Sequence, residues 1–91
     1  MDVYVVMMNR VFDAAAEDPE IKVFATKDSA WAYYHRLVDA CDALVNDEHP
    51  DWSSGYGREN KNASSALWSR YNECDYNGNH IDITLEIHEV N

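Results

Sequence analysis

Basic side chains are scarce. Seven Lys and Arg face seventeen Asp and Glu in 91 residues, for a formal net charge of −10. That imbalance excludes the usual nucleic-acid binder, whose phosphate contacts need clustered cations, and it opposes docking on an anionic membrane surface. Long apolar stretches are lacking too. The longest uninterrupted run is residues 3–8, far below the ~20 residues that span a bilayer as a helix. Asp2 follows Met1 and no small-residue cleavage site closes an apolar stretch, so no leader peptide is expected. Two cysteines, Cys41 and Cys74, are too few for the disulfide framework of a small secreted domain. These absences together predict a soluble, cytoplasmic protein with reduced thiols that contacts neither nucleic acid nor membrane. What is present suffices for a core. Hydrophobic residues make up 46% and aromatics 12%, which excludes a disordered tail, and the length suits a single domain over residues 1–91.

Val3, Tyr4, Val5, Val6, Met7 and Met8 place apolar side chains at both alternating positions, predicting a strand inside a sheet with both faces partly covered. Residues 9–19, with Asp13, Glu17, Asp18 and Pro19, break the pattern and read as a long hairpin connection. Ile21, Val23 and Ala25 then alternate with Lys22 and Phe24 in a short strand suited to antiparallel pairing with the first. Thr26-Lys27-Asp28-Ser29 is a helix start. The Thr26 hydroxyl can accept from a free amide of the first turn, and Asp28 suits the positive end of the helix dipole. The helix is expected over 27–46, with Ala30, Tyr34, Leu37, Val38, Cys41, Leu44 and Val45 in one apolar stripe. Asn46 and Asp47 mark its end, and His49-Pro50 enforces it.

Residues 51–65 show no periodicity and read as a loop, long enough to be functional or mobile. Residues 66–76 fit either helix or strand. Asn77-Gly78-Asn79 supplies a tight turn, after which Ile81, Ile83, Leu85 and Ile87 alternate with Asp82, Thr84, Glu86 and His88 in a half-buried strand. Its nearest antiparallel partner is 68–75. The expected fold is α+β: a three- or four-stranded, mainly antiparallel sheet with one long helix on one face. The last strand would meet Leu37, Cys41 and Leu44 of that helix, and a second helix over 63–75 is the alternative.

No catalytic motif stands out, and no cofactor, metal or catalytic residue is expected. His80 and His88 lie roughly 26 Å apart along one strand, too far to share an ion, and no His or Cys pair has the short spacing of a zinc site. Cys41 on the apolar stripe behaves as a small hydrophobe, and nothing marks Cys74 as activated. Residues 53–58 lack the phosphate-loop pattern. The loop does gather Trp52, Tyr56 and Arg58, and Trp68 follows; these residue types concentrate in binding hot spots. The acids are unevenly placed. Asp39, Asp42, Asp47, Glu48 and Asp51 fall between residues 37 and 57, and Glu73, Asp75, Asp82, Glu86 and Glu89 between 71 and 91, with no Lys or Arg in either stretch. Asp39 and Asp42 share a helix face. Asp82 and Glu86 project from the solvent side of the last strand, where next-neighbour positions are roughly 7 Å apart, close to the phosphate spacing of a nucleic-acid strand. A solvated, solubilising surface is one explanation; a basic partner is the other.

Val23-Phe24-Ala25-Thr26-Lys27-Asp28-Ser29-Ala30-Trp31, preceded by the Val3-Tyr4-Val5-Val6 strand, resembles a module of small phage and mobile-element accessory proteins. The resemblance spans about residues 3–38 and concerns structure, not an active site. It implies an anti-defence protein, of the anti-CRISPR or anti-restriction kind that mimics nucleic acid. The expectation is a non-enzymatic inhibitor occupying a basic, nucleic-acid-binding surface of a host protein. Asp39, Asp42, Asp82, Glu86 and Glu89 would meet its Arg and Lys, with Trp52, Tyr56 and Arg58 as contacts. An immunity-type protein covering a toxin's active site is the alternative, and a small Cys/His enzyme ranks below it; a homodimer is compatible with each.

Overall fold

The computed structural model describes residues 1–12, 15–72 and 78–90. In chain order its elements are β1 (Asp2–Phe12), β2 (Ala15–Ala16), β3 (Glu20–Phe24), α1 (Lys27–Glu48), β4 (Tyr56–Asn60), β5 (Ser65–Tyr71) and β6 (His80–Glu89). The class is α+β. One helix lies against a six-stranded sheet in which the described pairings are all antiparallel.

β1 and β6 form the middle of the sheet, paired from Asp2↔Glu89 to Val11↔His80. β5 continues from β6, and β4 closes that side. The opposite edge of β1 carries β2 and then β3. Val11 pairs with Ala16 but Met8 with Glu20, so the register slips by one residue around Glu17–Pro19. Pro19 has no N–H to give a ladder, and one extra residue there makes a bulge.

Five sequence expectations need correction. The sheet has six strands, not three or four, because β2 is a pair of alanines and β4 reads Tyr-Gly-Arg-Glu-Asn with every residue exposed. Neither carries the alternation that announces a half-buried strand. β4 also replaces part of the loop expected over 51–65, and β1 runs on to Phe12. The helix continues to Glu48, two residues past its expected end. Asn46 and Asp47 only weaken a helix, whereas Pro50 ends one, and the His49 amide still donates to the Val45 carbonyl at 2.7 Å. Finally, Leu44 and Ile87, expected in the core, are each 41% exposed. Strand β5 settles residues 65–71 as strand rather than helix. Gly78 has the positive φ (67°) expected of the turn; Asn77 and Cys74 lie outside the described residues.

The core sits between α1 and one face of the sheet. Val6 and Met8 of β1, Ala66 and Trp68 of β5, and Ile81, Ile83 and Leu85 of β6 pack under Ala30, Trp31, Tyr34, Cys41 and Val45 of the helix, all of them buried. Burying such a side chain contributes roughly 1.5–3 kcal/mol, so this layer holds the fold together. Thr26 caps α1, its hydroxyl oxygen accepting from the Ser29 amide and its proton going to Ser29 Oγ at 2.8 Å.

Candidate interaction surface

α1 covers one side of the sheet, and among the described residues no element covers the other. Cross-strand partners share a face, so the register fixes what the bare face displays. On β6 it shows His80, Asp82, Thr84, Glu86 and His88, the residues that alternate with the buried Ile81, Ile83 and Leu85. Val5 lies opposite Glu86, Met7 opposite Thr84, Asn9 opposite Asp82 and Val11 opposite His80. Beyond β1, Val23 pairs with Val5 and Ile21 with Met7. On the other side come Leu67 and Tyr71 of β5, then Tyr56 and Arg58 of β4, with Arg58 across from Leu67.

Asp82 and Glu86 each have a histidine within ion-pair distance. His80 Nε2 lies 3.3 Å from Asp82 Oδ2, and His88 Nε2 lies 3.1 Å from Glu86 Oε2. Among the described residues no Lys or Arg is within ion-pair distance of either carboxylate. Thr84 separates them, so they stand about 13 Å apart along the strand, twice the spacing a strand of phosphates would require.

The other expected contact residues do not join this face. Asp39 and Asp42 lie on α1, which covers the opposite side of the sheet. Asp42 is already engaged: its Oδ1 accepts from Arg70 Nη1 at 3.3 Å. Glu89 lies at the end of β6 opposite Asp2, an exposed acid facing another acid. Trp52 belongs to the core at 5% exposure, stacked on His49 with ring centroids 4.5 Å apart and packed near Phe12. It cannot anchor a partner without unpacking the molecule. Of the eight residues, Asp82, Glu86, Tyr56 and Arg58 share the bare face; the acids do not assemble into one continuous surface.

Arg70 is the residue that sequence reasoning missed. It is 5% exposed on β5, and its guanidinium donates to four groups: the carbonyls of Ser53 (Nε, 2.7 Å) and Trp52 (Nη2, 3.1 Å), Asp42, and Asn46 Oδ1. It fastens the loop after α1 and the last turns of the helix to the sheet. Gly55 belongs to the same arrangement, because a Cβ there would lie 2.8 Å from Trp68 Nε1.

Burial pushes the Cys41 thiol up, with Arg10 opposing and Glu20 adding to the shift; its Sγ donates to the Met8 thioether at 3.5 Å. That is the setting of an inert thiol. His35 Nε2 contacts Glu59 Oε1 at the helix–β4 margin, beside Tyr34, whose phenol is pushed up to about 12 by burial and by the Glu59 charge. Among the described residues no group of three or more His, Cys, Asp and Glu is placed to hold a metal ion, and no helix is long and apolar enough to cross a membrane. Comparison with protein-family models, curated proteins and solved structures gave no match.

Proposed function

We propose that this chain is a non-enzymatic binding protein that occupies a basic surface of another protein. The observation that carries the reading is the pair Asp82 and Glu86, which have no Lys or Arg partner among the described residues and stand on the open sheet face of a chain with net charge −10. Fixed on a strand, the two carboxylates need no reordering to meet cations, which favours fast, electrostatically guided association. In its narrower form, the one the sequence resemblance implies, the partner is a host protein that handles nucleic acid, and a phage-encoded inhibitor blocks its basic groove.

The test is retention of a basic protein from bacterial lysate by the immobilised wild type, compared with an Asp82→Lys/Glu86→Lys variant. The reversal changes local charge by four units on the sheet face opposite the core. A partner held by the wild type at 0.1 M salt, released by the variant and weakened by higher salt supports the reading, since exposed charges are screened beyond about 10 Å at that ionic strength. The narrower form adds one requirement: the captured protein must lose nucleic-acid binding when this chain is present, while the chain alone binds none. Equal retention by wild type and variant at every salt would reject both forms.

A further inference from the structure

We infer that the bare sheet face is itself the contact surface, and that its occupant is a protein segment with an apolar centre flanked by Lys or Arg; this rests on the basic-partner reading above. The first argument is the composition of the face. An antiparallel sheet with one side in water turns polar residues to that side. β6 obeys, but β1 turns out Val3, Val5, Met7 and Val11 around a single polar Asn9, and β3 adds Ile21 and Val23 at 57% and 61% exposure. The β1–β3 half of the face is therefore apolar, while Leu67 and Tyr71 of β5 and Tyr56 of β4 stand on the far side of β6. Val23, Val5 and Glu86 form one cross-strand row, and Ile21, Met7 and Thr84 the next, so the apolar half ends directly at the acidic strand, one inter-strand step of about 4.8 Å away.

The second argument is what each type of occupant would leave unsatisfied. A polycation alone would pair with Asp82 and Glu86 but leave the valines wet. A wholly apolar segment would cover the valines and desolvate two carboxylates whose ion-pair neighbours are one histidine each, which is costly. A second copy of the chain brings its own net charge of −10 and its own acids against these. Strand addition along the outer edge of β3 is opposed by Lys22 at the middle of that five-residue strand and by the Pro19 bulge before it, both devices that blunt an edge. An apolar segment with two cations about 13 Å apart satisfies every group. The helix side competes poorly, because Asp42 is already paired with Arg70.

The experiment uses the full chain labelled with 15N and two probes, a short amphipathic peptide of leucine and lysine and an oligolysine of equal charge. The expected result is amide shifts from the amphipathic peptide confined to β1, β3 and β6, with oligolysine binding roughly tenfold more weakly. Ile21→Thr/Val23→Thr should bring the two peptides to similar affinity. Asp82→Asn/Glu86→Gln should weaken both. Threonine keeps strand propensity at these exposed sites, and an unchanged far-field amide spectrum verifies folding. Shifts centred on Asp39, Asp47 and Glu48 of the helix would overturn the inference while leaving the basic-partner reading intact. So would sedimentation as a dimer that the Ile21/Val23 substitutions dissociate. If neither peptide binds, the basic-partner reading falls and the inference falls with it.

Discussion

At the end of β5, Trp68 and Arg70 both turn under the helix, and only one of them is apolar. Arg58 sits in an equally plain context in the sequence, yet it is exposed on the bare face. The difference is set by partners far along the chain. The carbonyls of Trp52 and Ser53 and the side chains of Asp42 and Asn46 converge on Arg70, and no local pattern announces such a meeting. Replacing Arg70 by Met should cost roughly 1–3 kcal/mol, since the buried Trp52 carbonyl and the half-buried Ser53 carbonyl lose their donor; urea unfolding would measure it. Lys should recover little, because an ammonium cannot reproduce the planar fork. Gly55→Ala is expected to destabilise by about 1–3 kcal/mol, the scale of overpacking, as the Trp68 ring is itself buried. Tyr34 gives a pH signature. Its folded-state pKa of about 12 lies above the ordinary 10.0, so the unfolded chain loses the proton first. The contribution is complete below pH 10 and disappears as pH rises towards 12, on the order of 2 kcal/mol. Tyr34→Phe should flatten that alkaline fall in stability relative to wild type.

Elements with a strong internal period were legible in the sequence, and those defined by their neighbours were not. Alternation in β6 located Ile81, Ile83 and Leu85 in the core, where each is at most 1% exposed, and Thr26 marked the start of α1 to the residue. β4 escaped notice because an edge strand without a buried side chain has nothing to alternate. The same reasoning limited the candidate surface. Sequence spacing put Asp82 and Glu86 on the solvent side of a strand, correctly, but it could not tell that Asp39 and Asp42 lie across the sheet, or that Trp52 is enclosed by Phe12 and His49. Two substitutions check the element-level account. Ile83→Ala should cost roughly 2–5 kcal/mol, and Thr26→Ala about 1 kcal/mol through the lost cap, both read from denaturant midpoints with unchanged slope.

The whole molecule is elongated, 43 × 21 × 17 Å with a radius of gyration of 13.9 Å, where a compact chain of this length would have about 12 Å. Its shape is the length of β1 and β6. Spread over it is a charge of −10, including Asp47 and Glu48 in the last helical turn, where no base answers the dipole and acids are disfavoured. Salt should therefore act in opposite directions on folding and on binding. Between low ionic strength and 0.3 M sodium chloride, Tm should rise by a few degrees as self-repulsion is screened, while association with a basic partner slows. Calorimetry and stopped-flow mixing would follow the two, and a Tm that falls with salt would contradict the balance of charge described. The central ladder has one more effect, which belongs to the time before the protein exists as a folded object. β1 emerges from the ribosome first and its main partner β6 last, so about seventy residues must be synthesised before the strands can join. Until then the run Val3-Tyr4-Val5-Val6-Met7-Met8 has β3 as a partner along one edge and keeps the other edge open, a β-forming segment without a charge to interrupt it, the kind that aggregates nucleate from. The open edge of β1 is therefore closed only when the last strand of the ladder is in place.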